Sequence, residues 1–183
     1  MNRRYFMTAV LIAATAVASA QQKAPPKSPP ATATATIAGK TISISYSSPG
    51  VKGRAGQIFT KDGLIAKTHK SYPVWRAGAN SATTLKTDGD LMIGDLMVPA
   101  GTYTLFVDIS DPDNWTLIVS KKTGEWGLGY DSTADLGRVP MKMSKPDAMV
   151  ENLNYTITSQ GGDTGTITLA WENHVASVPL MVH

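Results

Sequence analysis

Apolar and polar residues alternate along several short stretches of this chain, and a period of two is typical of a half-buried β-strand. Between residues 41 and 47, Ile42, Ile44 and Tyr46 share one face and serines occupy the other. Strands with one apolar face must bury it against a second layer. The sequence therefore predicts an all-β fold, an antiparallel, jelly-roll-like β-sandwich of roughly nine short strands. The other alternating stretches are residues 102–109, 115–119, 153–157, 167–171 and 176–182.

Turn residues separate these stretches and predict how they connect. Residues 111–114 (DPDN) and 161–165 (GGDTG) each predict a hairpin. Pro179 cannot donate to a strand ladder, so its strand should lie at a sheet edge or turn the missing donor outward. Short helical turns are plausible at residues 61–70 and 145–151, and no longer helical period is visible.

The first 20 residues predict an export signal. Arg3 and Arg4 precede an apolar run from residue 6 to residue 17, and Ala18-Ser19-Ala20 fits a signal peptidase site. The apolar run is shorter than the ~20 residues that span a bilayer. We therefore expect cleavage after Ala20 and a periplasmic or secreted protein. A loose twin-arginine pattern leaves the export route open.

The remaining chain divides by composition into two parts. Residues 21–36 are rich in Pro, Ala and Thr, and they predict a disordered spacer because they offer little apolar surface to bury. A single β-sandwich domain is then expected over residues 37–183.

Charge and residue usage exclude several functions. The formal net charge is +3, and Arg3 and Arg4 supply two of those charges. The mature chain therefore lacks a basic run that could follow nucleic acid or an anionic membrane. It has no cysteine, which excludes disulfides, thiolate metal sites and a cysteine nucleophile. No cofactor motif is present, and the Asp-rich turns at residues 88–90 and 111–114 lack the ordered ligands of a calcium loop. We expect neither metal nor cofactor.

Two groups of residues are candidates for ligand binding. Trp75, Arg76 and Asn80 combine a flat apolar ring, a fixed set of donors and a mixed amide. The structural alternative is that Trp75 anchors the core, that Arg76 satisfies a buried carboxylate or loop carbonyls, and that Asn80 caps a turn. Trp126, Tyr130 and Asp131 form the second candidate group, with a structural Arg–Asp pair as the alternative. The three histidines, His69, His174 and His183, are expected at the surface.

Four segments resemble a bacterial family catalogued as domain of unknown function 2911. They are residues 72–80 (YPVWRAGAN), 98–106 (VPAGTYTLF), 125–131 (EWGLGYD) and 169–179 (LAWENHVASVP). Ser81 stands where many members have an acidic residue, and residues 60–71 form a longer segment than in many relatives. The resemblance implies an exported, β-rich protein and carries no activity.

The residues themselves favour a non-catalytic binding module. Motifs of serine hydrolases, zinc proteases, phosphate loops and dinucleotide sites are missing from the sequence. A rigid scaffold with aromatic and polar loop residues fits a small polar ligand, a glycan or an envelope partner. The alternative is a periplasmic hydrolase that uses loop carboxylates, with Asp131 as the first acid to suspect.

Overall fold

A computed structural model describes residues 27–124, 126–127 and 129–183. Nearly all regular structure in these residues is β, apart from one helical turn, α1 (Leu64–Thr68), and a 3-10 turn at Ser132–Ala134. The strands are β1 (Pro30–Ile37), β2 (Lys40–Ser47), β3 (Val74–Trp75), β4 (Thr83–Thr87), β5 (Leu91–Ile93), β6 (Leu96–Val98), β7 (Gly101–Asp108), β8 (Thr116–Ser120), β9 (Asp135–Pro140), β10 (Lys142–Ser144), β11 (Val150–Gly161), β12 (Thr164–Glu172) and β13 (His174–Val182).

The 13 strands of the described residues form two antiparallel sheets around one shared core, which confirms the predicted β-sandwich and exceeds the roughly nine strands expected. The first sheet has the order β1-β2-β4-β7-β8-β9. The short strand β3 pairs with the end of β7, beyond the part of β7 that pairs with β4. The second has the order β11-β12-β13-β5-β6, and β10 also pairs with β13. The predicted inward residues of β2 and β7, among them Ile42, Ile44 and Leu105, are fully buried. The apolar face of each alternating stretch therefore faces the opposite sheet.

The expected disordered spacer is wrong over residues 30–36, which belong to β1. This strand pairs along its whole length with β2, from Pro30 opposite Ser47 to Ile37 opposite Lys40. Its alanines are half-buried against the core, whereas Thr32, Thr34 and Thr36 are exposed. Because alanine is small, the Ala-Thr alternation gives a weak apolar signal, although threonine itself favours strands. The domain thus begins earlier than residue 37. The predicted export signal, residues 1–20, lies outside the described residues.

Both predicted hairpins form, and the prediction for Pro179 is half right. β7 pairs with β8 and β11 pairs with β12, both antiparallel. β13 lies inside its sheet, so the edge position is wrong. On one side, however, β10 pairs with β13 only as far as Ser177, and β5 pairs with it only from Leu180 onward. The carbonyl of Pro179 accepts from Gly94 on that side, so its missing donor falls in the gap between these two strands.

The long connection between β2 and β3 covers one end of the sandwich. This connection contains α1, as predicted for residues 61–70, whereas residues 145–151 form no helix and lead into β11. Phe59 of the connection packs against the rings of Trp75, Trp115 and Trp171 at centroid distances of 4.8–5.7 Å. The connection is thereby fixed to the core. No helix among the described residues is long and apolar enough to cross a membrane.

Candidate functional site

A cleft of about 530 Å³ opens where the connection between β2 and β3 meets the end of the sandwich. Its walls come from the start of the described chain, the loop after β2, α1 and the turn that follows β3. The described ionisable side chains that line it are all basic or imidazole: Lys27, Lys52, Arg54, His69 and Arg76. The cleft therefore has the electrostatic character of an anion site.

Trp75 and Trp171 form the inner wall of the cleft. Their rings stack with centroids 5.8 Å apart and planes 22° apart, and each is only 1% exposed. The indole N–H of Trp75 donates to the Gly78 carbonyl at 3.2 Å. Trp75 is thus a core anchor, as the structural alternative has it, and it also contributes to the cleft.

Arg76 reaches from the end of β3 into the cleft and holds two loops together. Its Nη1 donates to the carbonyl oxygens of Asn80 at 2.7 Å and of Trp126 at 3.3 Å. Burial lowers the pKa of the guanidinium. Its Nε is buried and has no hydrogen-bond partner. Arg76 therefore satisfies loop carbonyls, as one of the structural alternatives has it.

His69 lies at the end of α1 and also lines the cleft. It is 6% exposed, so the expectation of a surface histidine is wrong. Its Nδ1 lies 3.3 Å from the Ile65 carbonyl and 3.0 Å from the Thr68 hydroxyl, whereas its buried Nε2 has no partner. Burial, with the positive charge of Arg76, lowers the pKa of His69 to about 4. The ring is therefore neutral at physiological pH.

Asn80 and Trp126 lie next to Arg76 but do not line the cleft. Asn80 has a left-handed backbone with φ of 55°, and its side-chain amide donates to the Ser28 carbonyl at 3.2 Å. The Trp126 ring is 62% exposed. Three of the six candidate residues, Trp75, Arg76 and Asn80, thus form one local unit, which Trp126 joins through its backbone.

Tyr130 and Asp131 lie elsewhere. Tyr130 packs edge-on against Phe106 at 5.2 Å, within a cluster separate from the main core. Its hydroxyl bonds Asp135 and Arg138. Asp131 caps the 3-10 turn by accepting from the backbone N–H and hydroxyl of Thr133. The two candidate groups therefore do not converge on one site.

The family model described as "Protein of unknown function (DUF2911)" matches residues 28–180. The chain belongs to this family. The match begins two residues before β1, in agreement with the early start of the domain. Neither a curated protein nor a solved structure matches the chain significantly.

A second cleft of about 480 Å³ in this DUF2911 protein lies beside His174. Nδ1 of His174 lies 3.2 Å from the carboxylate of Glu172, and its ring stacks on Trp115 with centroids 5.3 Å apart. Burial lowers the pKa of His174, against the opposing effect of Glu172. Glu172 is buried and also accepts from the Gly56 N–H. His174 is therefore half-buried beside Glu172, not the surface residue expected.

The Asp-rich turns are turns in the structure as well. Asp88 accepts from the Thr41 N–H, and Asp90 accepts from the Ala100 N–H. Asp111 accepts from the N–H of Asp113 and from the side chain of Asn114. Among the described residues, no three His, Asp or Glu side chains lie close enough to share a metal ion.

Sequence reasoning missed His69 and the cleft itself. A lone histidine between Thr68 and Lys70 carries no periodic or motif signal. Its burial depends on how the connection between β2 and β3 folds back onto Trp75 and Trp171. Such long-range packing of a non-repeating loop leaves no local pattern in the sequence.

Proposed function

We propose that this protein is a non-catalytic, exported binding protein whose main cleft takes a small polar ligand. One observation carries the proposal: Arg76 Nε and His69 Nε2, from two side chains that line the same cleft, are both buried without a hydrogen-bond partner. A buried polar atom without a partner costs about 1–3 kcal/mol. A polar ligand that reached these two atoms would recover that free energy.

The charges around the cleft favour a ligand with anionic or electron-rich oxygens. Arg54 donates to the carbonyls of Val51 and Gly50, and Lys52 Nζ donates to the Lys27 carbonyl. These donors hold the walls in place. Arg76 Nε, His69 Nε2 and the indole N–H of Trp171 remain as buried polar atoms of the lining without a partner. Arg76 and His69 are the expected contacts to the ligand.

The size and burial of the aromatic rings argue for a compact ligand rather than a glycan chain. Trp75 and Trp171 are almost fully buried, so neither offers an open face for a sugar ring to stack on. The exposed ring of Trp126 is a single aromatic residue outside the cleft. A small polar molecule therefore fits the cleft better than an extended oligosaccharide.

The hydrolase alternative has no comparable support. A general acid needs a raised pKa, whereas hydrogen bonds from Thr133 lower the pKa of the exposed Asp131. Its carboxylate already caps a turn.

Export is proposed from the pattern of residues 1–20, and mass spectrometry of the protein from its native host should find Gln21 as the first residue. An intact Met1 would contradict it.

A thermal-shift screen tests the binding proposal. The panel consists of monosaccharides, hydroxy acids, amino acids, inorganic phosphate and sugar phosphates. A ligand at about 100 times its Kd stabilises the folded state by roughly 2.7 kcal/mol, so at least one compound should raise the Tm. Arg76→Lys keeps the charge but loses Nε–H and the planar fork, and it should reduce that shift.

Arg138→Lys is the matched control. Arg138 pairs with Asp135 and Asp108 away from the cleft, so this variant should respond to the panel as the parent does. If no compound in the panel shifts the Tm of the parent protein, or if Arg76→Lys and Arg138→Lys respond equally, the binding proposal is wrong.

A further inference from the structure

The hydrogen-bonding state of His69 limits which polar group the cleft can accept. The Ile65 carbonyl can only accept a hydrogen bond, and it lies 3.3 Å from Nδ1. The Thr68 hydroxyl donates to the Leu64 carbonyl at 2.7 Å, which leaves its oxygen to accept from Nδ1 as well. The neutral ring therefore carries its proton on Nδ1. Nε2, on the opposite edge of the ring, presents a lone pair.

Arg76 presents the opposite polarity in the same cleft. Its Nε–H can only donate, and Nη1 is already bonded to the carbonyls of Asn80 and Trp126. Gly127 packs closely against the Arg76 side chain and holds it in place. A Cβ at residue 127 would lie only 2.9 Å from Arg76 Cδ. Arg76 Nε–H and His69 Nε2 thus offer a donor and an acceptor on two neighbouring side chains, and the unpartnered indole N–H of Trp171 is a further donor in the lining.

We propose that the group bound in this cleft is an oxyanion that still carries a hydroxyl, such as inorganic phosphate or a singly protonated phosphate monoester. One of its oxygens accepts from Arg76 Nε–H, and its hydroxyl donates to His69 Nε2. This inference rests on the proposed function and names its ligand class. A fully ionised anion, such as sulfate, has no proton to offer and places an oxygen against the lone pair of Nε2.

The charged groups around His69 keep its ring neutral near neutral pH, and the preference for phosphate over sulfate depends on that neutral ring. The other ionisable groups lining the cleft are Lys27, Lys52, Arg54 and Arg76, which are cationic and disfavour a charged imidazole. Burial and Arg76 together lower the pKa of His69 to about 4. The ring therefore turns from acceptor to donor only in acid, where a protonated Nε2 would donate to an oxygen of sulfate and of phosphate alike.

Arg76 Nε and His69 Nε2 are both buried from solvent. A phosphate can therefore reach them only if the side chains that cover them move apart. Lys27 and Ser28 line the cleft and are tied to it through their carbonyls, which accept from Lys52 Nζ at 2.8 Å and from the Asn80 amide at 3.2 Å. Both bonds are exposed. The side-chain bonds that hold this segment to the wall are therefore open to solvent.

Calorimetric titration with phosphate and with sulfate tests the inference. At about pH 7 we expect phosphate to bind tenfold or more tightly than sulfate, the equivalent of about one lost hydrogen bond. At about pH 4, the sulfate affinity should rise and the preference should shrink. His69→Gln, whose amide can donate or accept, should bind both anions within roughly threefold of each other at about pH 7. The threefold margin lies below the free energy of one hydrogen bond.

His183→Gln is the matched control, because His183 is exposed at the last residue and does not line the cleft. It should keep the parent's preference. Equal binding of sulfate and phosphate by the parent at about pH 7 would overturn the inference, and so would an unchanged preference in His69→Gln. The pH series on the parent keeps the test valid if His69→Gln does not fold. If neither anion binds but another compound shifts the Tm through Arg76, the ligand class is wrong and the binding function stands.

Discussion

Trp75 and Trp171, one from each sheet, stack with ring centroids 5.8 Å apart at the point where the core meets the cleft. The same two rings join the sheets and form the wall behind Arg76 and His69. The stability of this end of the sandwich and the geometry of the cleft are therefore linked. A substitution of either tryptophan should therefore change the geometry of the cleft as well as the stability of the core.

The two tryptophans should respond differently to replacement by phenylalanine. Trp75 Nε1 donates to the Gly78 carbonyl, whereas Trp171 Nε1 is buried without a partner. Trp75→Phe removes a hydrogen bond and Trp171→Phe removes an unsatisfied donor. We expect Trp75→Phe to lower the free energy of unfolding by about 1 kcal/mol more than Trp171→Phe. Urea denaturation measures both, and an equal or reversed order would contradict the assignment.

The early start of the domain can be tested on β1. Ala33 faces the core and is half-buried, whereas its neighbour Thr34 is exposed. Ala33→Asp places a charge against apolar side chains and should lower the unfolding free energy by about 1–3 kcal/mol. Thr34→Asp should change it by less than about 0.5 kcal/mol. Equal effects in thermal denaturation would mean that β1 is not packed on the core.

A comparison of two glycine substitutions separates the packing around Arg76 from the cost of backbone strain. Gly127 and Gly124 both have a left-handed backbone, with φ of 78° and 77°. A Cβ at Gly127 would lie 2.9 Å from Arg76 Cδ and 3.1 Å from Ala82 Cα, whereas one at Gly124 would meet nothing within 4 Å. Gly124→Ala should cost about 1–2 kcal/mol for the backbone alone, and Gly127→Ala clearly more. Similar losses in stability would show that Gly127 does not support Arg76.

The buried His69 should make the protein less stable in acid. Its pKa is about 4 in the folded protein against 6.5 in the unfolded chain. As the pH falls through this window the unfolded chain takes up a proton first, so the free energy of unfolding falls. The contribution is on the order of 3 kcal/mol, since one pKa unit corresponds to about 1.4 kcal/mol. His69→Gln should remove that part of the pH dependence and His183→Gln should keep it, as measured by denaturation at several pH values.

The sequence predicts this fold well because its signal is local. Alternation at Ile42, Ile44 and Tyr46 specifies which face of β2 is buried, and turn residues specify the hairpins. The signal fails where it is weak, as in the alanines of β1, or where several residues far apart in sequence decide the outcome.

The site was predicted in part for the same reason. Arg76 and Asn80 stand out because unusual residue types lie close together in sequence, and of the two only Arg76 lines the cleft. Their partner His69 was expected at the surface, since nothing local distinguishes a buried histidine from an exposed one. Tyr130 and Asp131 also carry suitable chemistry, but β9 and the 3-10 turn hold them through Asp135, Arg138 and Thr133.

Side-chain ¹⁵N NMR of the arginine Nε–H groups tests the central claim most directly, because the buried Nε–H of Arg76 should exchange slowly with water and remain visible. We expect at least one compound of the panel of sugars, hydroxy acids, amino acids and phosphates to shift the Arg76 Nε–H resonance while that of Arg138 stays in place. If every compound leaves the Arg76 resonance unchanged, or moves both resonances together, the cleft is not a ligand-binding site built around Arg76.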